Sequence, residues 1–282
     1  MPGGEVLLVE IERGTLSRVT ADRSVEVVAE LGGGPNGAAI GPDGRCYVCN
    51  NGGFSWHVVD GRLYPGDQPA SYSGGRIEAV DLQTGAVEVL YTACGGSDLR
   101  GPNDIVFDRH GGFYFTDLGK SYGRQMDRGA VFYAKTDGSS IRELIFPMNT
   151  PNGVSLSPDE KILYVAETIT GRVFAFAIAE PGAVARRLPT EECLVGVPGY
   201  QFFDSMAVDS EGHVCVATII NGGITRVSPD GAKVEHFPTD DPLTTNICFG
   251  GEGRRTAYVT LSSTGHLVTG AWPAAGLALN FA

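Results

Sequence analysis

Short runs of alternating apolar and polar residues recur along the chain, each set off by turn residues such as Gly, Asp, Pro and Ser. One run returns six times: VLLVE at 6, CYVCN at 46, FYFTD at 113, LYVAE at 163, VCVAT at 214 and AYVTL at 257. The later copies follow the turns GPDGR, DRHGG, SPDEK, DSEGH and GGEGRR. Before each turn stands another run, NGAAIG, NDIVFD, NGVSLS, DSMAVD or NICFGG, and two more strand-like segments, such as RIEAVDL and AVEVLYT, follow the copies. A strand A, a turn, a strand B, then C and D make one four-stranded blade.

Six such blades closing radially bury their edges without helices, so the expected fold is all-β, a six-bladed β-propeller. A β-sandwich is the alternative, and it does not account for a sixfold repeat. No amphipathic helix, linker or shift in composition divides the chain, and residues 1–282 read as a single domain. The 40 glycines and 16 prolines fit many short strands joined by tight turns.

Charge narrows the partners. The net charge of −12 comes from 21 Lys and Arg against 33 Asp and Glu, with no basic cluster beyond pairs such as Arg186-Arg187. Nucleic acid and anionic membrane are therefore excluded as partners, and a small molecule is expected. With no charged n-region and apolar h-region at the start and no long apolar stretch, the chain reads as soluble and cytoplasmic, a monomer or small homo-oligomer. The six cysteines are expected to be reduced core thiols. Cys46 and Cys49 are spaced like a metal pair, yet on one strand residues i and i+3 face opposite ways.

Candidate chemistry lies where strand A begins. Asn36, Asn103, Asn152, Asp204 and Asn246 open the five A strands, each 14 or 15 residues before the end of its strand B, at Asn50, Asp117, Glu167, Thr218 and Leu261. Strand A lines the channel of a propeller, so these side chains are expected to converge. Amide and carboxylate oxygens suit a hard divalent cation, whereas the five histidines sit at unrelated blade positions and argue against an imidazole-rich zinc site. The competing reading is that Asn before Gly serves the turn into the strand.

Strand direction puts the B–C and D–A connections on the same face as this ring. The inserts 51–75, 118–129 and 192–202 carry Phe54, Trp56, Tyr64, Tyr72, Tyr122 and Tyr200, an expected aromatic wall. Arg100, Lys120 and Arg124 on that face are candidates for binding a carboxylate or hydroxyl-rich substrate. The strand B ends, Glu10, Asn50, Asp117, Glu167 and Thr218, form a second ring that orients ligands or accepts hydrogen bonds from loop amides.

The segments RGPNDIVFD, TPNGVSLSPDEKILYVAET and FDSMAVDSEG resemble the metal-ligand segments of the gluconolactonase, regucalcin and senescence-marker-protein family of six-bladed propellers, to which fluorophosphatases are related. The resemblance covers nearly the whole chain. It implies Asn152 and Asp204 as direct metal ligands, Asn103 as a ligand or as a holder of water and substrate over the metal, and Asp204 as the favoured general base. One divalent ion is implied, Ca²⁺ first, with Zn²⁺, Mg²⁺ or Mn²⁺ as alternatives. The family's fourth ligand, a glutamate in a GEGP-like segment, would fall about four residues before Met1 by the register from Glu10. MPGG would be the turn after that strand. Either the chain starts late, or the first blade, lacking its inner strand, is completed by the C-terminal GLALNF.

The expected function is metal-dependent hydrolysis of a lactone, with Asp204 or Asp104 accepting a proton from the attacking water. Asn36, Arg100, Asp117, Lys120 and Asn246 are the expected substrate-binding residues. The alternatives are a cyclase, isomerase or phosphotriester hydrolase on the same site, or a noncatalytic binding propeller. No Gly-x-Ser-x-Gly elbow is present.

Overall fold

Each copy of the repeated run forms a strand, and the second to fifth copies are buried on both faces. In Cys46–Asn50 all five residues are buried, and in Gly112–Asp117 all six. A strand of this kind is stable only with packing on each side, and alternate residues supply it. Cys46 and Val48 enter a cluster with Leu16, Ala29, Leu31 and Val80, while Tyr47 and Cys49 enter another with Ile105, Phe107, Phe113 and Phe115. Val214 and Val216 likewise separate from Cys215 and Ala217. The two cysteines of the Cys46/Cys49 pair therefore face different clusters, as the strand period requires.

The computed structural model describes residues 4–281. Its regular structure is almost entirely strand, the helices being single turns at Pro189–Glu192 and Glu252–Arg254. No helix among the described residues is long and apolar enough to cross a membrane. The chain divides into two compact units, one of Met1–His57, Pro65–Met148 and Leu279–Ala282, the other of Val58–Tyr64 and Asn149–Ala278.

Each unit holds three antiparallel blade sheets, so that six are present, as the repeat implies. In the first unit these are Val6–Glu10, Thr15–Val19 and Val25–Glu30; then Pro35–Ile40, Cys46–Asn50, Arg76–Val80 and Val87–Tyr91; then Pro102–Phe107, Gly112–Asp117, Gly129–Lys135 and Ile141–Met148. In the second, Pro151–Leu156, Ile162–Glu167 and Arg172–Glu180 are followed by Ala183–Ala185 and Cys193–Gly196, which both pair with Arg172–Glu180. Phe202–Val208, Val214–Ile219, Gly223–Val227 and Val234–Pro238 form the fifth sheet, and Thr244–Gly250, Thr256–Leu261 and His266–Ala271 the sixth.

Among the described residues, Val6–Glu10 pairs only with Thr15–Val19, so the first sheet lacks an A strand there. GLALNF does not supply it, which corrects that expectation. In the second unit Gly276 bridges Asp209 and the Leu277 amide donates to the Val208 carbonyl at 3.0 Å. In the first, the Asn280 amide donates to the Phe107 carbonyl at 3.0 Å and Phe281 meets the Phe107 ring edge-on. The expected turn at MPGG lies mostly outside the described residues. The cysteines are all free, but Cys94 and Cys193 are half-buried and Cys248 is exposed, so only Cys46, Cys49 and Cys215 are core thiols.

Phe113, fully buried against Tyr47, Phe107 and Phe115, ties the second and third sheets. Phe113→Ala is expected to lower unfolding free energy by about 3–5 kcal/mol; urea denaturation with an unchanged slope would measure it, and a loss below ~1 kcal/mol would contradict this packing.

Candidate functional site

Each of the five A strands loses its ladder register near its start, in four of them where the sequence places its polar residue. The shifts fall between Pro35 and Gly37, Pro102 and Ile105, Pro151 and Val154, Phe203 and Met206, and Thr244 and Asn246. Asn36, Asn103, Asn152 and Asp204 are all skipped in pairing. A bulge releases a side chain from strict alternation and re-aims it. In the sixth sheet the skipped residue is Thr245, because Thr244 pairs with Leu261 and Asn246 with Thr260. Asn246 thus stands one position beyond its expected register, the longer turn GGEGRR having absorbed the difference.

The Asn-Gly steps are not turns. Asn36-Gly37 and Asn152-Gly153 lie inside strands, and neither glycine has a positive φ. Their requirement is space. A Cβ on Gly37 would come within 2.4 Å of the Asn103 carbonyl oxygen, and one on Gly153 within 2.6 Å of that of Asp204. Neighbouring A strands approach so closely that Asn36 is brought beside the Asn103 strand, and Asn152 beside the Asp204 strand.

In the first unit Asn103 is 3% exposed, and its Oδ1 accepts no hydrogen bond among the described residues. A buried amide oxygen left in this state is an acceptor awaiting a ligand, ion or water. Asp104, also buried, accepts from the Ile105 amide at 2.9 Å, and its own amide donates to Thr116 Oγ1 at 3.1 Å. In the second unit the Asn152 Nδ2 donates to Thr168 Oγ1 at 3.1 Å, which fixes the orientation of its amide. The half-buried Asp204 accepts from the Ser205 amide at 3.0 Å, and Asn246 from the Ile247 amide at 2.7 Å.

The strand B ends are anchors. Asp117 accepts from the amides of Arg100, Gly101 and Gly119 at 2.7, 2.7 and 2.9 Å. Burial raises its pKa, and the three amides oppose that rise. Asn50 receives the Gly34 and Gly52 amides and donates to the Gly32 carbonyl and Glu78; Glu167 receives the Asn149 amide and the Thr170 hydroxyl. Glu10 is held by Arg13, Thr15 and Ser17. In each case the carboxylate or amide closes a loop onto its strand, one of the two roles open to this ring.

Two of the three basic candidates are also engaged. Arg100 donates to Asp127 at 2.9 Å and Gln68 at 3.2 Å and lies over the Tyr72 ring, while Arg124 is exposed. Lys120 is 2% exposed and donates to the Gly53 carbonyl and Asn51 Oδ1. Phe54, Trp56, Tyr72 and Tyr122 are half-buried in the first unit; in the second, Tyr64 is half-buried and Tyr200 is 77% exposed. Sequence reasoning did not single out Asn51, whose only signal was the run NNGG.

Among the described residues, Asp209, Glu211 and His213 come close enough together to hold a metal. An arginine already fills that position. Arg226 reaches Asp209 at 2.7 Å, Glu211 at 3.1 Å and His213 Nδ1 at 3.0 Å. Asp209 also lies just past the far end of Phe202–Val208, the strand that holds Asp204 near its start, roughly 15 Å from it at the rise of an extended chain. The cluster is an ion network centred on Arg226, separate from the polar residues of the A strands.

Residues 1–263 match the family described as the SMP-30/Gluconolactonase/LRE-like region. The chain belongs to that family. A lactonase drp35 from Staphylococcus saprophyticus is 29% identical over 237 residues, and the match covers 82% of this chain and 65% of that protein's length. A gluconolactonase from Xanthomonas campestris has a solved structure that aligns with a TM-score of 0.73 at 22% identity, covering 93% of this chain and 80% of its own. Regucalcin from Agrobacterium tumefaciens, described as a calcium-binding protein, aligns with a TM-score of 0.71 at 18% identity, covering 98% and 88%. The fold is that of these proteins, a six-bladed β-propeller, as the repeat predicts.

Because Gly37 and Gly153 face backbone, Gly37→Ala and Gly153→Ala should each destabilise by about 1–3 kcal/mol. Thermal unfolding of the two variants would show this. Unchanged melting temperatures would mean that the strands do not approach so closely.

Proposed function

We propose that the chain hydrolyses a small cyclic ester at the polar residues of its A strands, with a divalent cation, Ca²⁺ first, as cofactor. The observation that carries this reading is the buried, unsatisfied Oδ1 of Asn103 at the register shift of its strand, where the family resemblance implies a metal ligand or a holder of water and substrate. The donor set fits a hard cation, since Asn152 offers an amide and Asp204 a carboxylate on adjacent strands of the second unit. Asn103 is the corresponding amide of the first unit. Family membership and the lactonase and gluconolactonase relatives support lactones as the substrate class.

A bound cation would polarise the ester carbonyl and favour charge developing on its oxygen. Asp204 is the proposed general base: its half-buried position gives it contact with solvent, and the Ser205 amide fixes one of its oxygens. In this role its carboxylate accepts the proton that water loses as it attacks. Asp104 is the alternative base, more deeply buried and held in the same way by the amide that follows it. Asn36, Arg100 and Asn246 are proposed to contact the substrate.

A binding protein without turnover is the second reading, favoured by a donor set with a single carboxylate, since cation affinity rises with ligand charge. One experiment separates the two. Purified protein is assayed for bound metal by atomic emission and for turnover on a lactone panel, before and after chelation. Hydrolysis lost on chelation and restored by Ca²⁺ is expected. Asp204→Asn should lower kcat/KM by at least about 100-fold and release the metal while the fold persists. Retained metal without turnover would favour the binding protein, and full activity in Asp204→Asn would remove it from the mechanism.

A further inference from the structure

Lys120 carries a charge into the first unit without a carboxylate to meet it. The residue is 2% exposed, and its Nζ donates to two neutral oxygens, the Gly53 carbonyl at 2.6 Å and Asn51 Oδ1 at 3.2 Å. The Phe54 ring centroid lies 4.0 Å from Nζ and that of Tyr72 5.6 Å. No carboxylate among the described residues is within ion-pair distance. Asp117, the nearest negative influence, is occupied by three backbone amides, and Arg100 is held by Asp127 and Gln68. A buried ammonium with only neutral partners is costly to keep for packing alone.

Asn51 adds a second observation. It is 1% exposed, and its Oδ1 receives both the Gly53 amide at 2.8 Å and the Lys120 ammonium. That fixes the orientation of the side-chain amide. Its Nδ2 has no acceptor among the described residues. An ammonium and an NH₂ group therefore adjoin each other with donors in surplus, in a place of low dielectric. The complementary ligand is an anion with several acceptor oxygens, bound by charge-assisted hydrogen bonds.

Phe54 covers the ammonium. It is half-buried, its ring makes an edge contact with Trp56, and its backbone follows Gly52 and Gly53 at φ of 76° and 95°. Swinging the ring aside breaks apolar and cation–π contacts but no hydrogen bond of the side chain. We propose that Lys120 and Asn51 form a subsite for the oxyanion of a small molecule, a carboxylate or a phosphate, entered by displacement of the Phe54 ring. The subsite is read by equilibrium binding, so it stands or falls apart from lactone hydrolysis.

The charge on Lys120 sets the pH dependence. Burial pulls its pKa down to about 7, Asp117 opposes the fall and Arg100 adds to it. The charged form prevails below that value and fades above it, so anion binding strengthens as pH falls through about 7.

The test is calorimetric titration of the full chain with sodium acetate and with inorganic phosphate at fixed ionic strength. Saturable binding is expected near pH 6 and should weaken about tenfold by roughly pH 8, as the charged fraction drops. The tighter of the two anions identifies the source as carboxylate or phosphate. Lys120→Met should abolish binding and Lys120→Arg retain it. Asn51→Asp, which keeps the shape but reverses the electrostatics, should abolish it as well, and serves if the methionine variant fails to fold. No saturable heat with either anion, binding in Asn51→Asp equal to wild type, or a crystal structure grown with the anion that shows only water on Asn51 Nδ2 would overturn the proposal.

Discussion

The repeated strand is sandwiched in the second to fifth blade sheets, and much else follows from that burial. Cys46–Asn50 sends alternate side chains into two different hydrophobic clusters, and Val214–Ile219 does the same in the second unit. With both faces apolar, such a strand leaves no solvent face on which a polar residue can sit. Polar residues are displaced to its last position, where Asn50, Asp117, Glu167 and Thr218 appear. There they bind loop amides or neighbouring hydroxyls, so the segments before the A strands are tied down at Gly34, Gly101 and Asn149, and the inserts after Asn50, Asp117 and Glu167 at Gly52, Gly119 and Thr170.

The A strands meet a different constraint. They approach one another until glycine is the only residue that fits at positions 37 and 153, and they shift register at the adjoining polar residue. The two features serve one end: close approach brings the polar positions of neighbouring strands together, and the shift frees those side chains from the ladder. The amide oxygen of Asn103 and the carboxylate of Asp204 are thus set by backbone geometry before any ligand is considered.

Two buried cations show how the same charge can serve different ends. Arg226 is surrounded by Asp209, Glu211 and Glu235, and its guanidinium completes an ion network at the end of the fifth sheet. Lys120 has only a carbonyl, an amide oxygen and aromatic rings. The first arrangement compensates its charge and can be explained by stability alone. The second leaves charge and donors uncompensated, as a binding subsite does before its ligand arrives.

The sequence by itself determined the sixfold repeat, the all-β class, the family and the positions of Asn36, Asn103, Asn152 and Asp204, because alternation and turn spacing are local and survive in a linear reading. It also required Cys46 and Cys49 to face apart, a consequence of the two-residue period of a strand. It could not place Asn246, because turn length and bulge size trade off against one another and only strand pairing shows that Thr245 holds the register. Nor did it show that Gly37 and Gly153 are needed for space rather than for a turn, that GLALNF runs to Val208 and Phe107, or that Lys120 points at Asn51 and Gly53. Those outcomes rest on contacts between segments far apart in the chain, and such contacts exist only once the tertiary structure has formed.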